Sequence, residues 1–182
     1  MNKKILFFDI DGTLLTRDFK IPDSTRTALK KAQENGHLIF VNTGRTRAML
    51  PPSVSELGFD GYVLGCGSHI YLHDKLLFFR TVPNLLCKET VQLLRKCKIE
   101  AIFEGNTEIM YDSASPAQSA FGEKMRQEIP MVDINKFGRE EACTYSFDKF
   151  LVHMLPDSQV EKFRGFCEEH FSYFDHGDGI WE

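Results

Sequence analysis

Ile5-Leu6-Phe7-Phe8-Asp9-Ile10-Asp11-Gly12-Thr13 is the stretch that decides the fold. Residues 4–8 form a short apolar run, suited to a strand buried on both faces. Two carboxylates end the run, and Gly12 supplies a turn. Ile21-Pro22-Asp23-Ser24 then leads into a helix over 24–35. Ala28, Leu29 and Ala32 share one face of it, Asp23 or Ser24 stands where a cap belongs, and Gly36 fits the position after the helix. Residues 38–41 give a second apolar strand. Strand, helix, strand at this spacing is a βαβ unit. Its strands are therefore parallel and its crossover right-handed.

Working outward, 46–57 is helical by pattern, but Pro51-Pro52 splits it into two short pieces. Residues 62–65 predict a third strand, and 69–72 with 75–81 a hairpin about His73-Asp74. From Val82 the character changes to mixed α+β. Leu86, Val91, Leu94 and Cys97 fall at helical spacing. Gly105-Asn106 reads as a two-residue hairpin between 99–104 and 107–111. Ser115-Pro116 opens a helix to about 128, 149–155 is a strand, and Ser158 with Glu161 forms a capping box for a helix reaching His170. Segments 171–174 and 179–182 complete the pattern as strands. The expected domains are 1–82, an α/β parallel-sheet core, and 83–182, an α+β unit.

The composition fits a folded chain. Of 182 residues, 42% are hydrophobic and 26% charged, which excludes a collagen-like, disordered or coiled-coil character. Lys plus Arg number 22 against 26 Asp plus Glu, a net charge of −4. Such a balance gives no electrostatic reason to bind nucleic acid or an anionic membrane. Asp9 and Asp11 stop the N-terminal apolar run far short of a signal peptide, and no stretch is long enough for a membrane span. The five cysteines are odd in number and form no CxxC, as expected of a reduced cytoplasmic protein with cysteines in its core.

Asp9-x-Asp11-Gly12-Thr13 carries the chemistry. Four such fixed positions recur by chance at about 10⁻³ over a chain of this length. Open parallel sheets bind ligands beyond the carboxyl ends of their strands, where both carboxylates fall. Two carboxylates so placed repel each other unless something binds them. A hard cation such as Mg²⁺ does so, taking one or two carboxylates together with phosphate oxygens. An Asp beside such a cation is also a candidate nucleophile toward phosphorus, and its neighbour a candidate acid and base. Asn42-Thr43-Gly44-Arg45 ends the second strand, and the βαβ topology brings it beside Asp9. A hydroxyl, a glycine N–H and a helix start together suit a phosphate. Arg45 has two readings, a phosphate contact or a partner for a nearby carboxylate.

On these residues the sequence resembles the haloacid dehalogenase (HAD) superfamily of phosphohydrolases, in the branch of Cof-like sugar phosphatases. Asp9-Ile10-Asp11-Gly12-Thr13 matches its first motif and Thr43-Gly44-Arg45 its second. The resemblance implies Asp9 as nucleophile and Mg²⁺ ligand. It implies Asp11 as acid/base and as Mg²⁺ ligand through its main-chain carbonyl. Thr43 and Gly44 would hold phosphate, with Arg45 beside them. It implies a Rossmann-like core, and from about residue 83 a cap that selects the leaving group. The implied activity is Mg²⁺-dependent hydrolysis of a small phosphorylated metabolite.

Two departures accompany the resemblance. Cys66-Gly67-Ser68 stands where family members often carry Asn-Gly-Ala, so an amide is lost. The family's third and fourth motifs, a lysine and a Gly-Asp…Asn-Asp stretch, do not precede Ile180-Trp181-Glu182. Gly177-Asp178-Gly179 has the wrong place and no following Asn-Asp. The sequence therefore reads as an incomplete core whose uncovered sheet edge invites association. The alternative is a non-catalytic phosphometabolite-binding or interaction module, and a phosphomutase of the same architecture is a further one. Glu104, Asn106 and Asp112 stand near the second unit's hairpin as sugar contacts or solvated polars. His153 reads as a packed histidine and Asp175-His176-Gly177-Asp178 as a turn.

Overall fold

The computed structural model describes residues 2–137 and 145–182; Cys143 lies outside the described residues. The chain divides into two compact units, one reaching to Arg80 and one running from Thr81 to Glu182.

The first unit holds β1 (Ile5–Phe8), α1 (Asp23–Glu34), β2 (Leu38–Asn42), α2 (Pro52–Ser55), β3 (Gly61–Leu64), β4 (His69–Leu72) and β5 (Lys75–Phe79). One sheet runs in the order β1-β2-β3-β4-β5. β1, β2 and β3 are parallel, while β3–β4 and β4–β5 are antiparallel. The βαβ unit is therefore present, with Phe8 opposite Val41. Pro51 and Pro52 divide the following segment into a 3₁₀ turn at 47–49 and the four-residue α2. Pro22, not Asp23 or Ser24, occupies the cap of α1, so Asp23 lies inside the first turn, where its charge suits the helix dipole. Ile10, Leu14, Leu29, Ile39, Val41 and Leu64 form the core.

β1 departs from the expectation of burial on both faces. Leu6 and Phe8 pack on the core, but Ile5 is 54% and Phe7 56% exposed. β1 is the edge strand, and among the described residues only one of its faces is covered. An unbroken apolar run says that both faces suit burial; it does not name what covers them.

The second unit holds α3 (Asn84–Cys97), β6 (Ile99–Glu104), β7 (Ile109–Tyr111), α4 (Ala120–Glu128), β8 (Val132–Asp133), β9 (Lys149–Met154), α5 (Val160–His170), β10 (Asp175–Gly177) and β11 (Ile180–Trp181). Its sheet order is β10-β11-β9-β6-β7-β8, with only β7–β8 parallel. All six residues of the central β6 are buried. Val91, Leu94, Ile99, Phe103, Phe147, Val152, Phe163 and Trp181 build a separate core. The turn between β6 and β7 is longer than expected, closed by Gly105 N–H to the Glu108 carbonyl at 2.9 Å. The last strand pair is β10 with β11, so 171–174 is not a strand and Asp175–Gly177 is.

Candidate active site

Ile10 fixes the first motif. It is fully buried, and its carbonyl accepts the N–H groups of Thr13, Leu14 and Leu15 at 3.3, 3.1 and 3.0 Å. The anchored residue lies between two exposed ones, so Asp9 and Asp11 both reach solvent beyond β1. Gly12, at φ +78°, takes the left-handed turn that lets the chain double back.

The second motif follows β2. Parallel register places Asp9 level with Asn42, one step beyond the Phe8–Val41 pair. Thr43 is 5% exposed and donates its N–H to the Val63 carbonyl at 3.0 Å, which ties the motif to β3. Its hydroxyl oxygen accepts the Arg45 N–H at 3.2 Å. The topology thus sets Thr43 and Gly44 at the carboxyl end of the strand next to Asp9.

Arg45 turns toward Asp11. Its Nε donates to Asp11 Oδ2 and its Nη2 to Oδ1, each at 2.8 Å, and Nη1 reaches the Met49 carbonyl at 3.3 Å. The hydrogen bonds from Arg45 hold the Asp11 carboxyl below its ordinary range; partial burial opposes this, and the Arg45 charge adds to it. Of the two readings of Arg45, the carboxylate partner is the one that this arrangement displays. Asp9 makes no hydrogen bond or ion pair among the described residues.

Asp9 and the Asp11 main chain offer hard oxygen donors. Among the described residues no group of three or more His, Cys, Asp or Glu converges as a metal site. One or two protein oxygens with the remainder from water and phosphate is a donor set that fits Mg²⁺.

Other sequence candidates are engaged elsewhere. Arg95 forks onto Asp112 at 2.6 and 2.7 Å, and Asn135 Nδ2 reaches the same carboxylate at 2.9 Å. Glu104 is buried with Lys149 Nζ at 3.8 Å. His153 packs on Phe121, its Nδ1 3.7 Å from Glu100 Oε2. His176 meets Glu182 at 3.0 Å, and Gly177 N–H donates to Asp175. Cys66 is exposed, at φ +56° beyond β3.

Known proteins resemble this chain in sequence and in fold. YkrA of Bacillus subtilis (strain 168) is 28% identical over 103 residues, covering 57% of this chain and 40% of YkrA. Pyridoxal phosphate phosphatase YbhA of Escherichia coli (strain K12) is 26% identical over 115 residues, 62% of this chain and 42% of YbhA. The matches thus span less than half the length of these curated relatives. Among solved structures, the HAD subclass IIB sugar phosphatase BT4131 superposes with a TM-score of 0.72 at 22% identity, over 99% of this chain and 68% of that one. That likeness shares the fold, and no helix of the described residues is long and apolar enough to cross a membrane. The model of the haloacid dehalogenase-like hydrolases matches residues 6–182, from inside β1 through both units, and the chain belongs to that family.

Proposed function

We propose that the protein is a phosphatase that hydrolyses a small phosphorylated metabolite through an aspartyl phosphate on Asp9. The observation that carries this reading is an exposed, unpartnered Asp9 carboxylate at the end of β1, next to Thr43-Gly44 at the end of parallel β2. Relatives named for phosphatase activity on pyridoxal phosphate, and on HMP-PP in Serratia proteamaculans, support the substrate class. We place the catalytic machinery in residues 1–82 and assign residues 83–182 the part of a cap.

An Asp9 oxygen attacks phosphorus in line with the ester oxygen. The P–O ester bond breaks as the Asp9–phosphorus bond forms, and Asp11 gives the leaving alkoxide a proton. Asp11 then takes a proton from water, whose oxygen attacks phosphorus and releases inorganic phosphate and the Asp9 carboxylate. Thr43 and Gly44 orient the phosphoryl oxygens. Mg²⁺, when bound by Asp9 and the Asp11 carbonyl, neutralises charge on those oxygens. The Arg45 fork favours the base form of Asp11, so the protonating step requires one Asp11 oxygen to leave Arg45.

The test is hydrolysis of p-nitrophenyl phosphate with and without Mg²⁺, beside Asp9→Asn. The expected result is turnover that needs both, with at least a 10³-fold loss in the variant, by analogy with the removal of other catalytic groups. Absence of turnover in a folded protein that still binds phosphate would favour the non-catalytic binding module. Transfer of labelled phosphate to a sugar in place of water would favour a phosphomutase.

A further inference from the structure

A cavity of about 170 Å³ lies in the first unit, lined by Arg47, Tyr62, Leu64, Tyr71, His73 and Asp74 among others. It extends to the far end of the sheet from the proposed reaction site. β3 runs parallel to β1 and β2, toward the end where Asp9 and Thr43 lie. β4 runs back, and its pairing ends with Leu72 opposite Gly61. The His73-Asp74 turn therefore sits at the amino end of the parallel strands.

Arg47 gives the cavity its character. Its guanidinium carbon stands 4.9 Å from the centre of the Tyr71 ring. The guanidinium makes no hydrogen bond or ion pair with any described residue, while the Arg47 carbonyl accepts the Leu50 N–H at 3.2 Å. Arg45, two residues earlier, is forked on Asp11, so the two arginines of this segment serve different places. Tyr62 and Tyr71 are direct cross-strand partners and present two rings on one face. Burial pushes the Tyr62 phenol up, so its hydroxyl remains a donor at neutral pH. Both Arg47 and Asp74 line the cavity, and Arg47 acts on that phenol more strongly than Asp74 does. Leu50 and Leu64 supply apolar wall. A cavity of roughly 150 Å³ accommodates one benzene ring. A cation over an aromatic face, with the Tyr62 hydroxyl as donor and apolar wall, selects a flat ring bearing negative charge.

We infer that this cavity binds a single-ring anion, a planar ring carrying one carboxylate or phosphate group, with Arg47 as its counter-charge and Tyr71 and Tyr62 as its ring contacts. The site is separate from the phosphatase reading and stands without it.

Nuclear magnetic resonance titration of the full chain tests it, with benzoate, phenyl phosphate, benzyl alcohol and inorganic phosphate as probes. The protein carries Asp9→Asn so that phenyl phosphate survives. Benzoate or phenyl phosphate should shift the Arg47, Tyr62 and His73 signals saturably, and the better of the two names the charged group. Arg47→Met should weaken that binding at least tenfold with an unchanged circular dichroism spectrum, and Tyr71→Leu should weaken it as well. Benzyl alcohol should bind at least tenfold more weakly. Absence of saturable shifts overturns the inference, as does full binding by Arg47→Met. Inorganic phosphate binding as well as phenyl phosphate overturns the ring requirement. Binding that is present with native Asp9 but absent in Asp9→Asn would place the anion at the reaction site and sink the inference.

Discussion

Asp11 and Arg45 meet through two parallel hydrogen bonds, a geometry that lysine does not reproduce. The sign of the effect is fixed. A carboxyl held below its unfolded value contributes stability that is present above that value and is lost as pH falls through the folded one. Arg45→Met should therefore raise the Asp11 carboxyl and flatten that part of the acid limb of stability. Carboxyl ¹³C titration of the two proteins checks this, and an unchanged Asp11 titration would show that the fork is absent in solution. The sequence brought Arg45 near the site but left its partner open, because Asp11 is 34 residues away and the meeting depends on how two loops end. The cysteines, expected to be core residues, differ in the structure. Cys87, Cys97 and Cys167 are buried, and burial pushes the Cys167 thiol up to about 12. Cys66 is exposed. Brief iodoacetamide treatment of the native protein should label Cys66, and these three only on unfolding, as read by peptide mass spectrometry. Labelling of Cys167 at the rate of Cys66 would show that α5 opens readily.

Helix starts show where local sequence stops being sufficient. Ser115-Pro116 has the residues of a helix start, yet α4 begins at Ala120 with Ser119 as its cap. Ser115 spends its hydroxyl on a local turn, accepting Ala117 N–H at 3.2 Å. Ser119 accepts Gly122 N–H at 3.2 Å and donates to Glu100, a buried residue of β6. Arg126, two turns further along than Ser119, stands 3.5 Å from the same carboxylate. The cap that wins thus has a partner 19 residues away. Ser119→Ala should cost about 1 kcal/mol for the cap and about 1–3 kcal/mol in total once Glu100 loses a donor. Urea unfolding followed at Trp181 measures it, and a change below about 0.5 kcal/mol would remove the cap from this account. The same logic explains the missing capping box. Ser158 accepts Leu155 N–H at 2.8 Å and donates to the Lys98 carbonyl at 2.6 Å, while Glu161 pairs with Arg164 at 3.5 Å. The periodic core of α3 and the βαβ unit were legible because repeated apolar spacing encodes them. Caps and turns were less so, since single polar side chains choose among local and distant partners.

Two cores without a common residue make up the molecule. One comprises residues from Leu6 to Tyr71, the other residues from Val82 to Trp181. The sequence changes near residue 82 from strand–helix alternation to hairpins and helices, and the compact units divide between Arg80 and Thr81. The covering of β1 was not legible, because patterning shows which faces are apolar and not what meets them. Separate cores predict that unfolding departs from a single two-state transition. The chain contains one tryptophan, Trp181, packed against the Tyr173 ring at 4.8 Å and the Arg164 guanidinium at 4.6 Å. Its fluorescence reports the second unit alone, whereas far-ultraviolet circular dichroism averages both. The two probes should therefore give non-coincident urea curves. Val41 is fully buried in the first core, so Val41→Ala should remove about 1–3 kcal/mol there, in line with other losses of buried methyl groups. The circular dichroism transition should gain an earlier component while the Trp181 midpoint stays in place. Val152→Ala, at a buried position of the second core, should do the reverse. If both probes and both variants move together, the two cores unfold as one cooperative body, and coupling between the units then contributes more to stability than their separate packing implies.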